Sequence, residues 1–150
     1  MAVKIQIRES IHKTFKEKIN ETAKEKTKVE YFMDGKKDWT PGKPAKYMNK
    51  LNRNQASTIF KTRTRMLPLK GNQKNEYTNK EGKLNITCRM CNDKDETQKH
   101  ILEECLILRK ETNPITKEMV FEEDTEKLKT TANEIIKMIE TMENANMPKP

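Results

Sequence analysis

Residues 88–105 read CRMCNDKDETQKHILEEC, and this stretch holds all three cysteines of the 150-residue chain and one of its two histidines. Cys88 and Cys91 are separated by two residues, His100 follows after eight more and Cys105 after another four, giving C-x2-C-x8-H-x4-C. Three thiols and an imidazole in two close pairs suit a tetrahedral zinc ion. The first pair belongs in a tight turn whose amides point toward the sulfurs. For the second pair, Asp95 and Gln98 read as a helix N-cap and its N3 partner. A short helix is therefore predicted from near Glu96, carrying His100 on its inner face and ending close to Cys105.

Other readings of the cysteines compete with zinc: a disulfide with a spare thiol, unrelated buried cysteines, or a nucleophilic thiol with a histidine base. Three cysteines cannot pair completely, and the N-terminal MAVKIQIRES lacks the apolar core of a secretory signal. A catalytic thiol leaves the other two cysteines without a purpose. Four protein ligands closed around one ion describe a structural site rather than a catalytic one.

Only 33% of the chain is hydrophobic against 36% charged, so its core is expected to be thin and the metal to contribute much of the folding free energy. No run approaches the roughly 18 apolar residues of a membrane span, and the expected location is the nucleus or the cytoplasm. The formal charge of +8 is unevenly spread. Residues 1–41 carry 10 basic and 7 acidic side chains, residues 42–87 carry 11 and 2, and residues 88–150 carry 10 and 14. The surplus just ahead of the cysteines is an electrostatic footprint for a polyanion, most economically RNA or DNA; the plain alternative is solubility.

Four segments follow from hydrophobic periodicity: a helical arm and loop over 1–50, a basic helix and polar connector over 51–87, the metal site over 88–110 and a helical segment over 111–150. In the first, Ile7, Ile11, Phe15 and Ile19 recur at steps of four, with Ala23, Val29 and Met33 continuing toward a stop at Gly35. A loop with Trp39 as its anchor comes next. His12 stands apart from the other metal-type side chains and is read as a surface residue.

In the second segment Asn52 and Gln55 read as a cap and its N3 partner, and Ala56, Ile59, Phe60, Met66 and Leu67 as one apolar face that ends at Pro68. Arg53, Lys61, Arg63, Arg65 and Lys70 are the candidate phosphate contacts, helped by the hydroxyls of Thr58, Thr62 and Thr64. Residues 70–86 are expected to form a mobile connector. After the cysteines, Pro114 opens a short helix with Met119, Val120 and Phe121 inward. Asp124 or Thr125 then caps a last amphipathic helix. Its seam of Leu128, Ala132, Ile135, Ile139 and Met142 packs on the body of the domain or binds a protein partner.

Four runs also resemble the C-terminal region of the endonuclease–reverse transcriptase polyproteins of non-LTR (LINE-type) retrotransposons. These are KTKVEYFMDGKKDWTPGKPAKYMNKLNRNQASTIFKTRTRMLPLKGN, CRMC, ETQKHILEEC and VFEEDTEKLKTTANEIIKMIE. The resemblance implies a zinc-knuckle region beside a polymerase, with Cys88, Cys91, His100 and Cys105 as zinc ligands and Arg63 and Arg65 near nucleic acid. It does not extend to catalysis. The paired palm carboxylates of such polymerases are missing, because the only aspartates are Asp34, Asp38, Asp93, Asp95 and Asp124. The expectation is a mainly α, small helical domain without enzymatic activity and without a small-molecule substrate. It binds nucleic acid, or serves as a structural subunit of a larger complex.

Overall fold

The computed structural model describes residues 2–25, 31–32, 35 and 45–145, and it is mainly helical. Two compact units divide the chain, Met1–Ala45 and Lys46–Pro150. Among the described residues no helix is long and apolar enough to cross a membrane.

The first unit contains α1, Ala2–Glu25. Its stripe of Ile7, Ile11 and Phe15 is exposed, Ile11 by 60%. Tyr31, Phe32 and Gly35 are also helical, and the residues that follow Gly35, where the stop is expected, lie outside the described residues. The side chains of Ala23, Val29 and Met33, and the loop around Trp39, lie outside the described residues.

The second unit opens with a 3-10 turn, Lys46–Asn49, that buries Tyr47. Helix α2 then spans Arg53–Arg63. Its start is the anticipated capping box: Asn52 Oδ1 accepts from the Gln55 amide at 2.9 Å, and Gln55 Oε1 accepts from the Asn52 amide at 3.1 Å. Its end comes earlier than Pro68. Arg65 adopts φ 52°, its amide bonds Thr62 O at 3.2 Å, and the Met66 amide bonds Lys61 O at 2.7 Å. This pair of reversed bonds is a Schellman termination with arginine in the place glycine usually takes.

The buried face of α2 is rotated from the one that hydrophobicity suggests. Gln55, Thr58, Ile59, Thr62 and Arg63 point inward, whereas Phe60 is 46% and Met66 54% exposed. Gln55, Thr62 and Arg63 occupy the inner face because each side chain finds a partner there. Gln55 Nε2 donates to Asn133 Oδ1 at 2.9 Å, and Thr62 Oγ1 donates to Thr58 O at 2.7 Å. Arg63, expected at a phosphate, is 3% exposed. Its Nε donates to Val120 O at 2.9 Å, and its guanidinium lies 4.7 Å from the ring centroid of Tyr47 and 5.1 Å from that of Phe121. A planar guanidinium can lie against both rings while its Nε bonds the carbonyl, and an ammonium has no flat face to do the same.

A short helix α3, Lys117–Val120, is capped by Thr116 and buries Val120, while Met119 stays exposed. Helix α4, Thr125–Ala145, starts where Asp124 Oδ1 accepts from the Lys127 amide at 2.9 Å. It packs on α2 and α3 through Leu128, Thr131, Ala132, Ile135, Met138 and Met142. The seam offered to a partner is therefore part of the intramolecular core. Met138 is fully buried in preference to Ile139, because the helix presents the 128–135–142 line flanked by 131 and 138.

Substituting Arg63 with Ala strips the Val120 carbonyl of its donor and empties a stacked slot. The expected loss is about 1–3 kcal/mol of stability in urea unfolding, with Arg63→Lys recovering little of it and Lys61→Ala close to neutral.

Candidate metal centre

The cysteine pair is carried by a small hairpin. Thr87 and Asp95 form an antiparallel bridge, the Cys88 amide bonds Lys94 O at 2.8 Å, and the Glu96 amide bonds Ile86 O at 2.7 Å. Between these rungs the chain reverses tightly, with the Asn92 amide on Cys88 O at 2.9 Å and Asn92 itself at φ 54°. Asparagine tolerates that left-handed conformation better than most residues. The Met90 amide lies 3.4 Å from Cys88 Sγ, so backbone dipoles face the sulfur as the C-x2-C spacing predicts.

The second pair rides on a helical turn that begins at Gln98 and widens to a π turn over His100–Glu104. The cap differs from expectation. Asp95 is held in the bridge to Thr87, and Thr97 Oγ1 accepts from the His100 amide at 3.2 Å. Cys105 sits at the C-terminal cap of the turn. Gln98 Nε2 donates to Thr62 O at 3.0 Å and so fastens this turn to α2.

The ligand atoms of Cys88, Cys91, His100 and Cys105 all lie within 4.8 Å of one another, the one such group among the described residues. All three cysteines are free of disulfides. Cys88, His100 and Cys105 are buried, while Cys91 is partly exposed. His100 Nε2 is 3.4 Å from Cys91 Sγ and thus faces the cluster, whereas its Nδ1 is buried without a hydrogen-bond partner. Tetrahedral coordination with metal–sulfur bonds of about 2.3 Å separates neighbouring donors by about 3.8 Å, so the cluster is compact enough for one ion.

Electrostatics favour an uncharged imidazole and resist a bare thiolate. Burial holds the His100 pKa below its ordinary value and pushes the Cys88 thiol up to about 11. At Cys91 burial also disfavours the thiolate, but the amides of Lys94 and Asp93 together with hydrogen bonds from Cys88 and Cys105 bring the pKa down overall. A coordinated dication reverses this resistance, since metal-bound thiols are deprotonated.

Glu96 holds the scaffold together, a role its sequence position does not announce. The side chain is fully buried, and it accepts from Arg89 Nη2 at 2.6 Å, Arg89 Nε at 2.8 Å, and the amides of Lys70 and Arg89 at 3.0 Å each. Burial alone raises its pKa, yet the Arg89 guanidinium and these amides lower it overall, so the carboxylate stays charged. The segment 70–86 is consequently bonded to the site at both ends, through Lys70 and Gly71 and through Ile86, instead of trailing from it. The Gly71 amide donates to Glu96 O at 3.0 Å, and a Cβ on Gly71 would fall 2.7 Å from that same oxygen.

The candidate phosphate contacts do not converge. Arg53 and Lys61 are exposed on α2, Arg65 is half-buried at the helix end, and Arg63 is buried. Lys70 turns toward the site, with Nζ donating to Thr87 O at 2.9 Å and lying 5.7 Å from the Tyr77 ring centroid. Thr58 and Thr62 are buried, and Thr64 Oγ1 donates to Phe60 O at 2.8 Å. A scan against protein-family models and searches of curated proteins and of solved structures return no match to the chain.

Two outcomes are expected from this geometry. Metal binding takes the proton from Cys88, so affinity should tighten as pH rises from about 6 to about 8, well below the Cys88 value near 11; competition with a chromophoric chelator reads this directly. Gly71→Ala should lower stability by about 1–3 kcal/mol, because the clashing partner is backbone and cannot turn aside, and thermal unfolding measures it.

Proposed function

We propose that this chain is a non-catalytic, zinc-stabilised module that binds nucleic acid in the nucleus or cytoplasm. It would act as the accessory region that its likeness to retrotransposon reverse transcriptase C-termini implies. The observation that carries the metal part is the compact Cys88, Cys91, His100 and Cys105 cluster, buried at every member but the partly exposed Cys91. Three sulfurs and one nitrogen select a thiophilic ion, and four protein donors leave no position for a reacting water.

The polyanion part rests on charge placement. Lys46, Lys50, Arg53, Lys61, Lys74, Lys80 and Lys83 are all exposed in the segment leading into the cluster, where the only acidic side chains are Glu76 and Glu81. Cations spread along a surface suit phosphate tracking rather than base reading. The exposed Phe60 beside Lys61 adds an aromatic face of the kind on which a base can stack.

A second reading is a structural subunit that docks through the exposed Ile7, Ile11 and Phe15 stripe of α1. Ile7→Ser with Ile11→Ser would then abolish assembly and leave RNA binding intact.

The deciding experiment is fluorescence anisotropy with a single-stranded RNA across a salt series. Arg53→Ala with Lys61→Ala should flatten the log–log slope by about 0.7 for each phosphate that is no longer neutralised. An unchanged slope removes these residues from the interface, and no salt-dependent binding at all removes the nucleic-acid function. Metal analysis should find one zinc per chain, with helix loss on chelation.

A further inference from the structure

The H-x4-C spacing poses a geometric problem that an α-helix does not solve. At about 100° per residue, side chains five positions apart point about 140° away from each other and cannot serve one ion from the same side. The chain solves it with the π turn. An α-helical Cys105 amide would bond Ile101 O; instead it bonds His100 O at 2.7 Å, which stacks residue 105 over residue 100. The cost falls on Ile101, a fully buried residue whose carbonyl is released from the Cys105 amide.

Arg109 takes up that carbonyl. Its Nη2 donates to Ile101 O at 2.8 Å and lies 3.5 Å from Met138 Sδ on α4, while its own amide bonds Cys105 O at 3.0 Å. The guanidinium is thus fixed between the π turn and the core. Its Nε and Nη1 are buried and find no acceptor among the described residues, so these donors are left unused by the protein's own hydrogen bonds. Burial disfavours the cation, and Cys105 and then Glu134 are the acidic groups that favour it.

Resting on the metal reading above, we propose that Arg109 is a positioning residue of the metal centre. It holds the π turn open by capturing the Ile101 carbonyl, and it offsets the residual charge of the ligand set. Three thiolates, one neutral imidazole and one dication sum to −1, which a neighbouring guanidinium balances inside a poorly solvated site. Arg109 touches no ligand donor in this role; it governs the backbone that sets the separation of His100 and Cys105.

Cobalt(II) titration of the full chain tests this, since tetrahedral thiolate coordination gives intense visible bands and chelator competition gives the affinity. Arg109→Met should bind cobalt about 10- to 100-fold more weakly, a range typical of residues supporting metal ligands, with an altered band envelope. Arg109→Lys should recover part of the affinity. Val120→Ala, a core truncation outside the ligand set, should lower thermal stability while leaving affinity and spectrum at wild-type values.

Wild-type affinity and spectrum in Arg109→Met overturn the proposal. So does a loss no greater than that of a Val120→Ala chain of equal stability, which would make the role merely structural. Should Arg109→Met fail to fold, Arg109→Lys carries the test, and wild-type behaviour there overturns the proposal equally. A wild-type chain that takes up no cobalt overturns the metal reading itself, and this inference with it.

Discussion

A carboxylate removed from water is stable as an ion only where donors replace its hydration, and Glu96 has four of them on two oxygens. The donors come from different parts of the second unit. Arg89 belongs to the turn of the cysteine pair, and the Lys70 amide belongs to the chain leaving α2. The backbone of Glu96 meanwhile pairs with Ile86 and accepts from Gly71. One side chain thereby fixes the hairpin, the approach from α2 and the start of the ligand-bearing turn. The metal donors are arranged by a buried ion pair before any ion is considered.

The same economy runs through the core. With a third of its residues hydrophobic, the chain cannot enclose its helices in apolar contacts alone. The α2 interface instead buries Gln55, Thr62 and Arg63, each bonded to a partner, and Gln98 reaches Thr62 O from the ligand turn. Such bonds add little net stability when formed but are costly to leave unmade. They select one register of α2 against α4, and that register sets where the π turn meets the core.

Local chemistry is legible in the sequence and long-range chemistry is not. The capping box at Asn52 and Gln55, the Asp124 cap and the compact set of Cys88, Cys91, His100 and Cys105 depend on neighbours in the chain, and they stand as expected. Periodicity misplaces the inner face of α2 because it weighs Phe60 and Met66 above Thr62 and Arg63, and only tertiary partners reverse that order. Glu96 reads as a first-turn helix residue, since nothing near it reveals its bonds to Arg89 and to the Lys70 amide. Asp95 resembles a cap, but its bridge to Thr87 passes that duty to Thr97. The α4 seam is visible in the correct helix while its destination is not, because a sequence does not say whether the face that fits a helix is in the same molecule.

The four ligands fall within 18 consecutive residues, whereas the Gln55–Asn133 bond joins positions 78 apart. Closing the first loop costs little chain entropy and closing the second costs more. Residues 88–105 also precede α4 in the chain and leave the ribosome before it. The hairpin and turn that carry this cluster can therefore close ahead of the long-range pairing, giving α2 and α4 a surface on which to condense. The order of closure is written into the spacing: the side chains of 88–105 meet by local reversal of the chain, whereas the α2–α4 pairing waits for its far end.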